Sequence, residues 1–181
     1  MKLNLGCGRT HNEGYVNIDI DESLTPKPDL VMDFSENRLP YESGSVDEVT
    51  ILHTIEHIHR EKHTLVIGEI NRVLKINGEL IVAYPDAEKI LPNFLENYRG
   101  MRYKYWEMTV LGRALSIWDA HRCLMVTGDL LAFLNEYGFG DFKVIPEVGQ
   151  PHNTVVQAVK KFNTVERTEL FRREVIQDAV L

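Results

Sequence analysis

The residues best suited to chemistry are a glycine turn, two strand-end carboxylates and a cluster of histidines. In Leu3-Asn4-Leu5-Gly6-Cys7-Gly8 a short apolar-alternating stretch breaks into two glycines. Such a turn lets backbone N–H groups approach a ligand closely. A second alternating stretch, Tyr15-Val16-Asn17-Ile18-Asp19-Ile20, follows and brings an acid to its end. A carboxylate there can accept hydrogen bonds from both hydroxyls of a ribose. Asn4, Leu5, Gly6, Cys7, Gly8, Asp19 and Ile20 therefore describe a site for a nucleoside-bearing cofactor at the start of the chain.

The histidines invite a different reading. His53-Thr54-Ile55-Glu56-His57 matches a His-x-x-Glu-His pattern in which two histidines four apart on one helix bind zinc. That chemistry needs a continuous helix through both ligands. Val49, Thr50, Ile51 and Leu52 are strand-like, so His53 falls at a strand-to-helix corner and the two imidazoles diverge. A zinc hydrolase is the weaker reading, and no metal is expected.

These residues need elements to hold them. Seven strand candidates run along the chain: Lys2–Leu5, Tyr15–Ile20, Leu30–Met32, Glu48–Leu52, Glu79–Ala83, Phe142–Ile145 and Thr154–Lys160. A helix is expected over Glu61–Leu74, with Leu65, Val66, Ile70, Val73 and Leu74 on one face, and Lys75-Ile76-Asn77-Gly78 should end it. A second is expected over Gly128–Tyr137, capped by Thr127 and stopped by Gly138. Alternating strands and helices imply a mainly parallel sheet that binds ligands at the carboxyl ends of its strands. The residues placed there are Gly6–Gly8, Asp19, Asp33, His53 and Pro85-Asp86. Between Gly6 and Tyr15 there are too few residues for a full crossover helix, so the helix dipole that usually assists anion binding is weak or missing.

Two regions stand apart. Residues 87–126 carry Phe94, Tyr98, Tyr103, Tyr105, Trp106 and Trp118, and sit where a substrate cover would be inserted. The same aromatics would equally serve to pack a helical hairpin on the core. Val165–Leu181 reads as an amphipathic tail helix that packs on its own sheet or on a second subunit, which allows a homodimer.

Composition narrows the partners. The chain of 181 residues has a formal net charge of -7, which disfavours a nucleic-acid backbone. Cys7 and Cys123 are its two cysteines, far apart and without a Cys-x-x-Cys, so neither a disulfide framework nor a thiolate zinc site is expected. No apolar run is long enough to span a bilayer, and no signal-peptide apolar region opens the chain, so a cytoplasmic protein away from membranes is expected.

Taken in order, several segments resemble the class I S-adenosylmethionine-dependent methyltransferases, especially the small group with a Leu-Gly-Cys-Gly first turn. They are Leu5-Gly6-Cys7-Gly8, Val16-Asn17-Ile18-Asp19, Asp33-Phe34 with Leu39-Pro40-Tyr41, and Ser45-Val46-Asp47-Glu48-Val49. Ile55-Glu56-His57-Ile58, Glu69-Ile70-Asn71-Arg72-Val73-Leu74-Lys75, Gly78-Glu79-Leu80 and Pro85-Asp86 follow. The resemblance implies a Rossmann-like sandwich over residues 1–160, with residues 87–126 inserted on the substrate side and 161–181 as a tail. Its sheet would have seven strands, mostly parallel, the last antiparallel.

The resemblance also implies roles. Gly6–Gly8 would run against the methionine and ribose of S-adenosylmethionine, Asp19 would hold the ribose, and Asp33 with the Phe34 backbone would read the adenine edge. Leu52-His53 would wall the site beneath the methyl group. Methyl transfer needs alignment and exclusion of water, with a general base where the acceptor is a hydroxyl. His53 is the first candidate base and His121 the second. The implied acceptor is a small molecule, a sugar-containing precursor being its narrowest form.

The sequence departs from the family where Asn4 replaces a frequent acid and where Arg9-Thr10 stands in place of a third glycine. Ile76-Asn77-Gly78 replaces a Pro-Gly-Gly, and the substrate is expected to go without the N-terminal cover frequent in the family. The shortened first crossover motivates an alternative, a catalytically inactive relative that keeps the fold for binding or interaction. A dinucleotide dehydrogenase would need the absent third glycine and helix.

Overall fold

The computed structural model describes residues 1–97, 103–113 and 116–164. Its strands are β1 (Lys2–Leu5), β2 (Val16–Asp19), β3 (Leu30–Val31), β4 (Val46–Leu52), β5 (Leu74–Pro85), β6 (Phe139–Glu147) and β7 (Gln150–Lys160). Its α-helices are α1 (His63–Val73), α2 (Ala87–Asn97), α3 (Tyr103–Leu111) and α4 (Thr127–Glu136). The sheet order is β3-β2-β1-β4-β5-β7-β6. Pairs from β3 across to β5 are parallel, whereas β7 runs antiparallel to both β5 and β6. The expected seven-stranded, mostly parallel sheet is therefore present.

One face of the middle of the sheet is dry and apolar, while the opposite face carries Asn4, Asn17 and Thr50. Leu3, Leu5, Val49, Ile51, Leu80 and Val82 are all fully buried and stand side by side on that one face. Val66, Ile67, Ile70 and Val73 of α1 and Leu130 and Leu134 of α4 join the same core. Burial of that kind contributes about 1.5–3 kcal/mol per large side chain. It anchors the ends of β1, β2 and β4, where the polar site residues emerge.

Several boundaries differ from expectation, each for a local reason. Lys75-Ile76-Asn77-Gly78 does not end the helix. Leu74 already has extended backbone, and β5 begins there. The stop comes from a distant residue: fully buried Lys160 on β7 donates its ammonium to the carbonyls of Asn71 and Leu74, the last of which α1 leaves open. Asn77, with positive φ, instead lies inside β5, which begins opposite an irregularity between Val46 and Glu48 of β4.

At α4 the expected cap also fails. Thr127 is the first helical residue, Val126 precedes it without a side-chain cap, and the Thr127 hydroxyl donates to Asp86 Oδ2 at 2.7 Å. The helix expected from Glu61 opens as a 3-10 turn over Arg60–Lys62 before α1. Strands β5, β6 and β7 are longer than expected, whereas β2 stops at Asp19 and β3 at Val31, leaving Ile20 and Met32 outside them. Between β1 and β2 there is no helix, as the short spacing implied. The expected tail helix, and Tyr98 of the aromatic segment, lie outside the described residues.

Candidate functional site

At the carboxyl end of β1 the chain turns sharply. The N–H groups of Gly6 and Cys7 both donate to the Ile18 carbonyl, at 2.8 and 3.0 Å. Gly6 has φ of 69°, and a Cβ there would lie 2.2 Å from Thr54 Cγ2. The close approach this glycine permits is therefore to the end of β4, not to a ligand. The Thr54 hydroxyl donates to the Gly6 carbonyl at 3.1 Å, fastening the turn from the other side. Gly8 behaves differently. Its φ is 53° and a Cβ would meet nothing within 4 Å, so the space beside it is open.

Asp19 faces that opening. Its Oδ2 accepts the Gly8 N–H at 2.8 Å, and its Oδ1 accepts the Asp21 N–H at 3.0 Å. An ionised carboxylate has about four lone-pair positions, so both oxygens keep capacity for further donors. The loop that replaces the first helix is held by amide side chains. Asn4 Nδ2 donates to the Thr10 carbonyl and to Asn17 Oδ1, the latter at 2.9 Å. Asn17 Oδ1 also accepts the Asn12 N–H, while its Nδ2 donates to the Tyr15 carbonyl and to Asp29.

These contacts revise some of the expected cofactor residues. Asn4 is buried and committed to the latch, with Thr50 donating to its Oδ1 at 3.1 Å. The Leu5 side chain is fully buried in the core, leaving its backbone alone for any ligand. Cys7 is also buried, and burial together with the nearby Asp19 charge pushes its thiol up to about 11, so it stays a neutral packing group. Half-buried Ile20 follows directly on the strand-end acid. Asp33 Oδ1 accepts both the N–H and the hydroxyl of Ser35, at 2.9 and 2.7 Å, and half-buried Phe34 packs on the core beside it.

His53 sits at the predicted corner with φ of 51°, unusual for a residue bearing a side chain, and its N–H donates to the Ala83 carbonyl. Its Nε2 lies 3.0 and 2.9 Å from the two carboxylate oxygens of Glu147, and its Nδ1 is 3.8 Å from Glu56 Oε1. Burial alone would lower its pKa, but the nearby Glu56 carboxylate and the hydrogen-bonded Glu147 carboxylate outweigh burial and lift it to about 9. At neutral pH His53 is an imidazolium paired with Glu147, a proton donor. The expected role of general base in this state is corrected accordingly.

His121 lies close to Glu56 and His57. Its ring packs edge-on against His57 with centroids 4.9 Å apart. Burial lowers its pKa, so the ring is neutral at physiological pH. The His-x-x-Glu-His helix does not form. Ile55–His57 is one 3-10 turn, and His53 lies outside it with its ring turned to Glu147. Asp86, noted for its strand-end position, is buried and occupied by the hydroxyls of Thr127 and Thr154 and by the Glu88 N–H. It ties β5, β7 and α4 together and is a structural carboxylate.

Similarity to known proteins follows the same lines. Residues 3–82 match the family model described as methyltransferase domain. No curated protein sequence matches this one. Among solved structures, a Thermotoga maritima SAM-dependent methyltransferase, described as a possible histamine N-methyltransferase, superposes with a TM-score of 0.63 at 20% identity, covering 88% of this chain and 82% of the other. An Archaeoglobus fulgidus SAM-dependent methyltransferase gives 0.62 at 19% identity, with 88% and 85% covered. The fold is that of the class I S-adenosylmethionine-dependent methyltransferases. Human N-acetylserotonin methyltransferase, solved in complex with SAM, shares it at 16% identity and a TM-score of 0.58, with 89% of this chain and 47% of the human one covered.

Within this methyltransferase fold, two site residues carried little or no signal in the sequence. Glu147 lies at the β6–β7 corner, far along the chain from His53, and only the antiparallel hairpin brings them together. Thr54 follows a conspicuous histidine, yet it is what makes Gly6 obligatory. Of the aromatic segment, Trp106 is buried against His152, whereas Tyr105 and Trp118 are exposed. Among the described residues no helix is long and apolar enough to cross a membrane.

Proposed function

We infer that the protein transfers a methyl group from S-adenosylmethionine to a small-molecule acceptor, in its narrowest form a sugar-containing precursor. One observation carries this reading: the open space beside Gly8 is bordered by the Asp19 carboxylate at the end of β2. The cofactor, when bound, supplies a methyl group on a sulfonium. Gly8 offers no side chain to block approach, and the spare lone pairs of Asp19 suit the paired hydroxyls of a ribose through charge-assisted hydrogen bonds. Asp33, oriented by Ser35, and the Phe34 backbone suit the adenine edge. In this reading His53, His57 and His121 would face the acceptor, and Glu147 anchors the first of them.

The test is binding followed by transfer. Calorimetry and thermal shift with S-adenosylmethionine and its demethylated product should show saturable binding, because a ligand of the native state raises apparent stability. Asp19→Ala should abolish the shift while far-ultraviolet circular dichroism stays native. Labelled methyl should then pass to a member of a panel of small hydroxyl and amine acceptors, sugar nucleotides included. Absence of binding at about 1 mM ligand would overturn this reading and favour the non-catalytic alternative.

A further inference from the structure

We propose that Glu56, His57 and His121 form a binding site for a divalent transition-metal ion of the zinc class, with a coordination position left open toward the acceptor. One ligand atom from each of the three residues lies within 4.8 Å of the other two. Glu56 is only 2% exposed, yet its Oε2 has no hydrogen-bond partner. A buried carboxylate oxygen without a donor is costly, and a cation among its neighbours removes that cost. His53 Nδ1, at 3.8 Å from the other oxygen, is beyond hydrogen-bond range and compensates only in part.

The surrounding hydrogen bonds orient these groups as ligands. His57 Nδ1 lies 3.2 Å from the Ala120 carbonyl, so it donates there and leaves the ring's lone pair on Nε2 for a metal. Histidines that hold metals almost always give their second N–H to such an acceptor. The backbone is equally constrained. The Arg122 N–H donates to the Glu56 carbonyl at 2.7 Å, and the His121 N–H donates to the Leu111 carbonyl at 3.1 Å. The loop after α3 is thus pinned across the turn after β4, and neither ligand depends on a free surface side chain.

Two imidazoles and a carboxylate suit zinc better than magnesium or calcium, and three protein ligands leave a fourth position. Ligands of a tetrahedral zinc stand about 3.4 Å apart, so side-chain rotation must draw these groups slightly closer. The site differs from the His-x-x-Glu-His pattern in its members. His53 is excluded by its pairing with Glu147, and His121 arrives from the insertion. Assigning the open position to an oxygen of the acceptor rests on the methyltransferase reading, whereas the metal site does not. With metal bound, His121 is a ligand, and a metal-held acceptor hydroxyl would lose its proton more readily without an imidazole base.

The experiment uses the full chain, stripped with chelator and dialysed against Zn²⁺ or Co²⁺, with no cofactor present. One equivalent of Zn²⁺ by elemental analysis and a visible Co²⁺ absorption band are expected. Glu56→Gln, His57→Ala and His121→Ala should each weaken binding by more than about tenfold, while S-adenosylmethionine affinity is retained. Absence of stoichiometric binding in the native protein, or binding undiminished in all three variants, overturns the site. The native Co²⁺ spectrum decides the matter even if a variant fails to fold. Loss of S-adenosylmethionine binding with metal binding intact would sink the functional reading and leave this one standing.

Discussion

The two halves of the site are built from different chemistry. On the β1–β2 side the loop is latched by neutral amides and backbone groups: Asn4, Asn17 and the N–H groups that Asp19 accepts. On the β4 side the walls are ionisable, with His53 on Glu147 and with Glu56 beside His57 and His121. The first half is nearly saturated with internal hydrogen bonds, His11 Nε2 being an exception, whereas the second leaves a buried carboxylate oxygen without a partner. Amides bound to backbone groups, and to Asp29 whose carboxyl the Asn17 donors hold below its usual range, make a frame that hardly changes near neutral pH. Imidazoles and carboxylates make a wall whose charge depends on proton and ligand, and that is where reactivity can be tuned.

The contrast can be broken at three points. The largest effect is expected at the turn. Gly6→Ala should cost more than about 3 kcal/mol, since the new methyl overlaps Thr54 in a left-handed backbone, whereas Gly8→Ala should cost about 1 kcal/mol and act mainly on cofactor binding. Urea denaturation of both variants tests this, and equal losses would show that Gly6 is not gated by Thr54.

Asn17→Ala comes next. It removes acceptors for Asn4 and Asn12 and donors to Tyr15 and Asp29, so about 2 kcal/mol should be lost, with protection of the Asn12 amide from hydrogen exchange falling as well. A neutral result would mean that the amide latch does not replace the missing helix.

The smallest effect on stability is at Glu147. In metal-free protein Glu147→Gln should bring the His53 pKa down from about 9 toward 6.5, read by imidazole chemical shifts. The folded value lies above the unfolded one. The pair's stabilisation is therefore fully present below pH 6.5 and is lost as pH rises through about 9. His53 is more than a third exposed, so the loss should stay within about 1 kcal/mol. A His53 titration unchanged by the substitution would separate it from Glu147 and undo the charged half of the contrast.

Much of this was legible from local pattern. Gly6-Cys7-Gly8, the acid of β2 and the strand-to-helix corner at His53 follow from short-range spacing, and each stands where that spacing put it. The short β1–β2 link also announced a missing helix. Misreadings came where distant residues bear on an element's end: Lys160 takes the last carbonyls of α1, and Thr127, bound to Asp86, is the first residue of α4 and not its cap.

Periodicity and turn chemistry act over a few residues, so the chain alone dictated a mostly parallel α/β sheet and the positions of its polar strand ends. Protonation states and unsatisfied groups depend on what approaches from elsewhere. The meeting of His53 with Glu147, and of Glu56 and His57 with His121, exists only once the β6–β7 hairpin and the loop after α3 close over β4. Electrostatic character is a sum over neighbours in space, and those neighbours are fixed by folding.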